Sequence, residues 1–263
     1  MAFKFCFKAL KHGFKIPPKE DKRVFSWYVD CLRFRGLKFL KSIMVDFYLV
    51  LSLYLGMRPE ELFNLIKKTK VEKVGDDMDF AVVVFPEEKT VRLIFEESAS
   101  KRDWQNNFNF PIKPYKNQQN TLWFARGWAK AYKSANDLIM EKLIEVHNNN
   151  PDYKVEICGW SYGGAISLLA AEDFYFRTKI KADVITFGAP KPLFGRKTKK
   201  YVLSCCEKVQ QFAHRCDVVI LCVPFPGYKM LNKIKVGKWN LFNLFKPNIY
   251  HCCYGDKDLY LKS

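Results

Sequence analysis

Residues 154 to 176 constrain this chain more than any other stretch. A short apolar run, Val155-Glu156-Ile157-Cys158, leads directly into Gly159-Trp160-Ser161-Tyr162-Gly163. The chain then continues through Gly164-Ala165-Ile166-Ser167-Leu168-Leu169-Ala170-Ala171 with the small-residue pattern of a buried helix reaching Phe176. A strand that turns into a helix over so few residues brings two backbones closer than β-carbons permit, and the glycines flanking the serine remove that obstacle. The serine hydroxyl is thereby predicted to be held up at the helix N-terminus.

The surrounding punctuation extends this unit into a fold. Phe80 to Phe85 and Thr90 to Phe95 read as two strands around the tight turn Pro86-Glu87-Glu88-Lys89. Trp128, Ala131, Tyr132, Ala135, Leu138, Ile139, Leu143 and Val146 recur at helical spacing, predicting one helix that Asn148-Asn149-Asn150-Pro151-Asp152 stops. Lys154 to Cys158, Asp183 to Phe187 and Lys208 to Ala213 read as further strands. Strands alternating with helices predict an α/β fold with a mainly parallel central sheet and helices on both faces. Active sites of such sheets lie beyond the strands' carboxyl ends, where Ser161 falls.

At 263 residues, 49% hydrophobic and 27% charged, the chain has the material for a real core, which excludes a disordered polymer. We expect a single domain over 1–263, with residues 1–70 a basic, largely helical lead-in and 80–255 the catalytic core. Ile16-Pro17-Pro18 and Met57-Arg58-Pro59 punctuate the lead-in. Within it Phe3, Phe5 and Phe7 alternate with Lys4, Cys6 and Lys8 as in an edge strand or, as the less favoured reading, a basic patch touching a membrane. Ile43 to Met57, with Asp46 inside it, is too short to span a bilayer and reads as a buried helix.

The net charge of +17 attracts polyanions. The basic residues are spread along the chain without a helix-turn-helix, zinc-finger or RNA-binding signature, so nucleic acid is not an expected partner, whereas peripheral contact with an anionic membrane is. Nine cysteines, including the adjacent pairs Cys205-Cys206 and Cys252-Cys253, fit neither a disulfide framework nor zinc-site spacing and read as free thiols. Lysines at 4, 8, 11 and 15 interrupt any signal-peptide core. The expectation is a cytoplasmic protein, peripheral at a membrane.

A serine hydroxyl needs a base to become a nucleophile, and the base needs a carboxylate to orient it. Of the four histidines, His12 lies in the lead-in and His147 ends a helix on the wrong side of the sheet, leaving His214 and His251. In α/β-hydrolase folds the order along the chain is serine, acid, histidine. Asp217 follows a strand-like run, and His251 is the only histidine after it.

Several blocks between about 80 and 255 resemble the class 3 lipases, the fungal-lipase-like branch of the α/β hydrolases. Phe95-Glu96-Glu97-Ser98 through Asp103-Trp104 looks like that family's strand end and lid, and Ala125-Arg126-Gly127-Trp128 with Ala131-Tyr132 like its helix start. Ile157 to Ala171 is similar to its nucleophile turn. Thr186-Phe187-Gly188-Ala189-Pro190 and His214-Arg215-Cys216-Asp217-Val218-Val219 are similar to two further blocks. The resemblance implies Ser161 as nucleophile, Asp217 as orienting acid and His251 as general base. It also implies an oxyanion hole from Ser98 and the backbone N–H of Tyr162, and no metal or cofactor. His214 falls where the family has no catalytic residue.

The implied activity is hydrolysis of acyl-lipid esters through an acyl-enzyme. One departure supports a rival reading. Glu96-Glu97 stand where the family has Arg-Gly, and a carboxylate beside a developing oxyanion opposes the charge to be stabilised. The rival is a catalytically silent lipase-fold protein bound to an anionic membrane surface. The resemblance places a lid at 99–110 with Trp104, Phe108 and Phe110 as its apolar face. The run from Tyr228 to Tyr250, with Trp239, Phe242 and Phe245 among lysines, reads as a covering loop or a lipid-docking surface.

Overall fold

The computed structural model describes residues 58–74, 78–95, 112–116, 121–221, 227–238 and 247–261, all within the unit Gly56–Ser263. Glu96, Glu97, Ser98, the lid segment 99–110, Trp239, Phe242, Phe245, the Phe3-Phe5-Phe7 alternation and the 43–57 segment lie outside the described residues.

Eleven strands are described: β1 (Glu72–Val74), β2 (Met78–Phe85), β3 (Thr90–Phe95), β4 (Ile112–Lys116), β5 (Thr121–Ala125), β6 (Lys154–Trp160), β7 (Ala182–Phe187), β8 (Leu193–Phe194), β9 (Cys206–His214), β10 (Tyr228–Lys229) and β11 (Lys233–Val236). Seven form one sheet in the order β1-β2-β3-β6-β7-β9-β11. From β3 to β11 every neighbouring pair is parallel, and β1 and β2 are added antiparallel at one edge. The hairpin expected at 86–89 is present, closed by Lys89 N–H donating to Pro86 O at 3.1 Å.

The helices are α1 (Pro59–Lys68), α2 (Arg126–Lys133), α3 (Asn136–Asn148), α4 (Tyr162–Thr178), α5 (Arg196–Cys205), α6 (Pro247–His251) and α7 (Lys257–Leu261). Pro59 opens α1, and Glu60 and Glu61 in its first turn with Lys67 and Lys68 in its last complement the helix dipole. Its Phe63 packs edge-on against Trp160 and Phe187 at 5.1 and 5.4 Å, covering one face of the sheet. The other face carries α4, whose Ala165, Leu168 and Leu169 join Leu93, Ile157, Val184 and Val209 in the main core. Each large apolar side chain buried there is worth about 1.5–3 kcal/mol. The doubly covered, mainly parallel sheet predicted from the alternation is therefore the observed architecture.

The single helix predicted from Trp128 to Val146 is instead two. Ser134 hydroxyl donates to Ala131 O at 2.7 Å and competes with helix propagation. Beyond the break, Asp173 of α4 collects Tyr132 hydroxyl at 2.9 Å from one helix and Asn136 Nδ2 at 3.3 Å from the next. The new helix axis turns Ile139 and Leu143 inward and leaves Leu138, expected on the same face, 46% exposed. The run from Tyr228 contains β10 and the sheet's edge strand β11 as well as loop, and a second, antiparallel sheet, β10-β8-β5-β4, flanks α2.

Candidate active site

The site is assembled where β6, β7 and β9 end. At the end of β6 the chain turns through Ser161, which adopts φ 55° and ψ −119° before α4 begins at Tyr162. A non-glycine residue in that region costs about 1–3 kcal/mol and persists only where its surroundings over-determine it. Here they do. Ser161 N–H donates to Phe187 O at 2.9 Å, tying the turn to the end of β7, and Ser161 O accepts from Ala165 N–H at 3.3 Å.

Two glycines around the turn, Gly159 and Gly164, are required by contact. A β-carbon on Gly159 would lie 2.4 Å from the backbone C and O of Gly163, and one on Gly164 would lie 2.8 Å from Ala189 Cβ. Tyr162 opens the helix and is buried, so its backbone N–H lies at the helix N-terminus, where such groups point toward an incoming negative oxygen.

Two residues from distant parts of the chain meet beside this turn. Asp217, beyond the end of β9, places Oδ2 3.0 Å from Nδ1 of His251, the last residue of α6. Asp217 is wholly buried, and both of its oxygens have further donors. Its Oδ1 accepts from Val219 N–H at 2.9 Å and its Oδ2 from Tyr254 hydroxyl at 2.6 Å. A carboxylate so held fixes the imidazole's rotation and presents a proton acceptor to Nδ1–H. His251 remains partly accessible, with its side chain 12% exposed.

Gly188 marks where the pair meets the turn. It follows Phe187, has φ 54°, and any β-carbon there would stand 2.8 Å from Asp217 Oδ2 and 3.0 Å from His251 Nδ1. Trp160, which precedes the serine, completes the junction. Its Nε1–H donates to His251 O at 3.0 Å and its ring lies 5.5 Å from the imidazole.

The other two histidines that can be compared are used differently. His214 Nδ1 accepts from Cys216 N–H at 3.0 Å, the ring stacks on Tyr250 at 4.7 Å, and burial holds its pKa below the ordinary 6.5. His147 lies in the last turn of α3, buried and edge-on to Phe174 at 6.1 Å, with its pKa also lowered by burial. Neither is paired with a carboxylate among the described residues.

Tyr254 is the site residue that sequence reasoning missed. Its ring is fully buried against Phe63 and Phe187, and its hydroxyl accepts from His214 N–H at 2.9 Å while donating to Asp217. Burial, then the neighbouring Asp217 carboxylate, raises its pKa well above the ordinary value, so it stays protonated and remains a donor. The available signal was its position three residues after His251, within one turn of the same short segment.

A parallel sheet covered on both faces, with a strained serine turn after its central strand and an Asp-His pair at the neighbouring strand ends, defines an α/β-hydrolase fold. Within it the chain belongs to the class 3 lipase family, described as lipase (class 3), whose profile matches residues 93–225, just over half of the sequence. Over 139 residues it is 31% identical to a lipase of Rhizomucor miehei, covering 50% of this chain and 37% of that one. This chain thus spans little more than a third of that relative's length.

Among solved structures, the native Rhizomucor miehei lipase propeptide complex superposes with a TM-score of 0.58 at 22% identity, covering 65% of this chain and 56% of that chain. A fungal lipase-inhibitor complex gives 0.57 at 20% identity, covering 77% and 82%. At these identities the superpositions establish the shared fold.

Proposed function

We propose that the protein is a serine carboxylic ester hydrolase acting on acyl lipids. The observation that carries this reading is the buried Asp217 carboxylate 3.0 Å from His251 Nδ1, beside the strained turn that raises Ser161. In this reading His251 Nε2 takes the proton from Ser161 hydroxyl as its oxygen attacks the ester carbonyl. The tetrahedral oxyanion is received by Tyr162 N–H together with Ser98, donors placed where charge develops. His251 then gives the proton to the departing alcohol, leaving an acyl-Ser161 that water hydrolyses by the same route in reverse. The chemistry asks for no metal or cofactor. We also propose, from nine cysteines that fit neither a disulfide framework nor zinc-site spacing, that it works in a reducing, cytoplasmic setting at a membrane surface.

The test is covalent labelling with a fluorophosphonate, which reacts only with an activated serine. Labelling of the parent chain that maps to Ser161 and is lost in Ser161→Ala is expected. A folded parent chain that resists the probe would instead indicate the silent, membrane-bound reading raised by Glu96 and Glu97.

A further inference from the structure

Nine of the chain's seventeen excess positive charges fall between Gly188 and Lys238, a fifth of its length, where eleven lysines and arginines face two acids. One of those acids, Asp217, is committed to His251. The topology collects most of these cations at one place. Lys191 follows β7, Arg196 and Lys197 open α5, Arg215 follows β9, and Lys233 and Lys235 lie on the edge strand β11. In register, Lys233 and Lys235 stand opposite Gln211 and Ala213. That is the sheet face on which α4 packs, with α5 against it. Lys191, Arg196, Lys197 and Arg215 lie at the carboxyl ends of the strands, as do Asp217 and His251, and Lys233 and Lys235 stand beside the carboxyl half of β9.

Three observations show that these charges lack an internal purpose. Among the described residues none of the six forms a salt bridge. Arg196 and Lys197 occupy the first turn of α5, where no acid is present and the helix dipole disfavours cations. Lys233 is crowded by its own kind: shielding from water, then Lys235, Lys191 and Arg215, lower its pKa, with Asp217 acting oppositely. Coupling to Asp217 also shows that the cluster lies within electrostatic reach of the proposed triad. Arg196, Lys197, Arg215, Lys233 and Lys235 are exposed and come from three separate elements, so together they match a surface of many anions better than one bound phosphate.

We propose that the edge formed by β11, the loop after β9 and the amino end of α5 seats on the phosphate headgroups of an anionic phospholipid surface. The ester delivered to Ser161 is then the acyl ester of a phospholipid in that surface, a specification that rests on the hydrolase reading above. Fixed cations against an anionic surface give attraction that grows with each residue and is screened by salt. The observation that turns this toward lipid and away from nucleic acid is location, since the cations rim the end of the sheet where an acyl ester must arrive.

The test uses the full chain carrying Ser161→Ala, so that lipid is bound without being consumed. Flotation with vesicles of phosphatidylcholine alone, and of phosphatidylcholine mixed with phosphatidylserine, measures docking. Each lysine near such a surface is worth about fivefold in affinity. Lys233→Ser with Lys235→Ser should therefore weaken binding to the mixed vesicles by roughly 25-fold and leave the weak binding to neutral vesicles unchanged. Lys181→Ser, at the opposite end of the sheet, should change neither. Binding by the parent should fall as salt rises, a measurement that needs no variant. In chains retaining Ser161, the double substitution should slow hydrolysis of phospholipid in mixed vesicles while sparing a soluble short-chain ester.

Undiminished binding by the double variant would overturn the proposal. So would an oligonucleotide that binds more tightly than the vesicles and loses affinity in the same variant. Because docking is read on Ser161→Ala, a parent chain without esterase activity would count against the hydrolase reading and leave the docking surface standing.

Discussion

Replacing Tyr254 by Phe removes one oxygen from a fully buried ring and leaves that ring's contacts with Phe63 and Phe187 in place. The oxygen has two partners, Asp217 Oδ2 at 2.6 Å and His214 N–H at 2.9 Å. A hydrogen bond to a charged group contributes about 1.5–3 kcal/mol, and a buried N–H left without a partner costs about 1–3 kcal/mol. The two effects share one atom and do not simply add, so a destabilisation of about 3 kcal/mol is expected. For a unit of this size that lowers the unfolding temperature by about 6–12 °C. Asp217 keeps Val219 N–H and His251 but loses the donor that restrains Oδ2, the oxygen facing the imidazole. Turnover should therefore drop about tenfold, with the KM for a soluble ester unchanged, because orientation of the base matters in the transition state and not in substrate binding. Thermal unfolding and steady-state kinetics on the same preparation read both effects. An unfolding temperature within about 2 °C of the parent, together with unchanged turnover, would refute the role assigned to this bond.

Ser161→Ala, Asp217→Asn and His251→Ala should each reduce esterase turnover by roughly 10⁴-fold while circular dichroism reports an intact fold, because such residues act as a unit. His251→Ala activity within a factor of about ten of the parent would move the base elsewhere, with His214 next in line. Gly159→Ala should fail to give folded protein, since the added carbon would meet backbone atoms of Gly163 at 2.4 Å. Recovery of a soluble, cooperatively unfolding variant would show that the turn can open. Burial lowers the pKa of His214 below 6.5, so as pH falls the unfolded chain takes up the proton first. The stability conferred by the neutral ring is thus present above pH 6.5 and is lost as pH drops toward and through the folded-state value. His214→Asn, which retains an acceptor for Cys216 N–H, should flatten the fall in unfolding temperature between about pH 7 and 5. A slope equal to the parent's would assign the effect to other groups.

The parts of the fold legible in the sequence were those governed by local physics. The β6 strand, its glycine-flanked serine and the small residues of α4 could be read because a sharp strand-to-helix turn tolerates few alternatives there. The hairpin at 86–89 followed from turn chemistry. What escaped depended on distant partners. At the break at Ser134, Asp173, some forty residues on, accepts from both helices and holds them at their new angle. The two-residue strands β8 and β10 carry no periodicity of their own and exist because they pair with each other. In the site, Ser161 was recognisable from its neighbours, whereas His251 sits in Asn248-Ile249-Tyr250-His251-Cys252-Cys253, which matches the family poorly. Its assignment came from chain order and scarcity, and the structure places it against Asp217. Tyr254 could not be singled out because only the folded chain brings its hydroxyl to that carboxylate. Ser98 and the effect of Glu96 and Glu97 lie outside the described residues.

The central claim is that Ser161 attacks a carboxylic ester with His251 as its base. Intact-mass spectrometry of the chain quenched with acid within milliseconds of mixing with an excess of an activated acyl ester reads that step alone. The account predicts a mass increase equal to one acyl group, mapped by proteolysis to Ser161, and its absence when His251 is replaced by Ala. An acyl adduct on any other residue, or one that forms on Ser161 as quickly without His251, would contradict it.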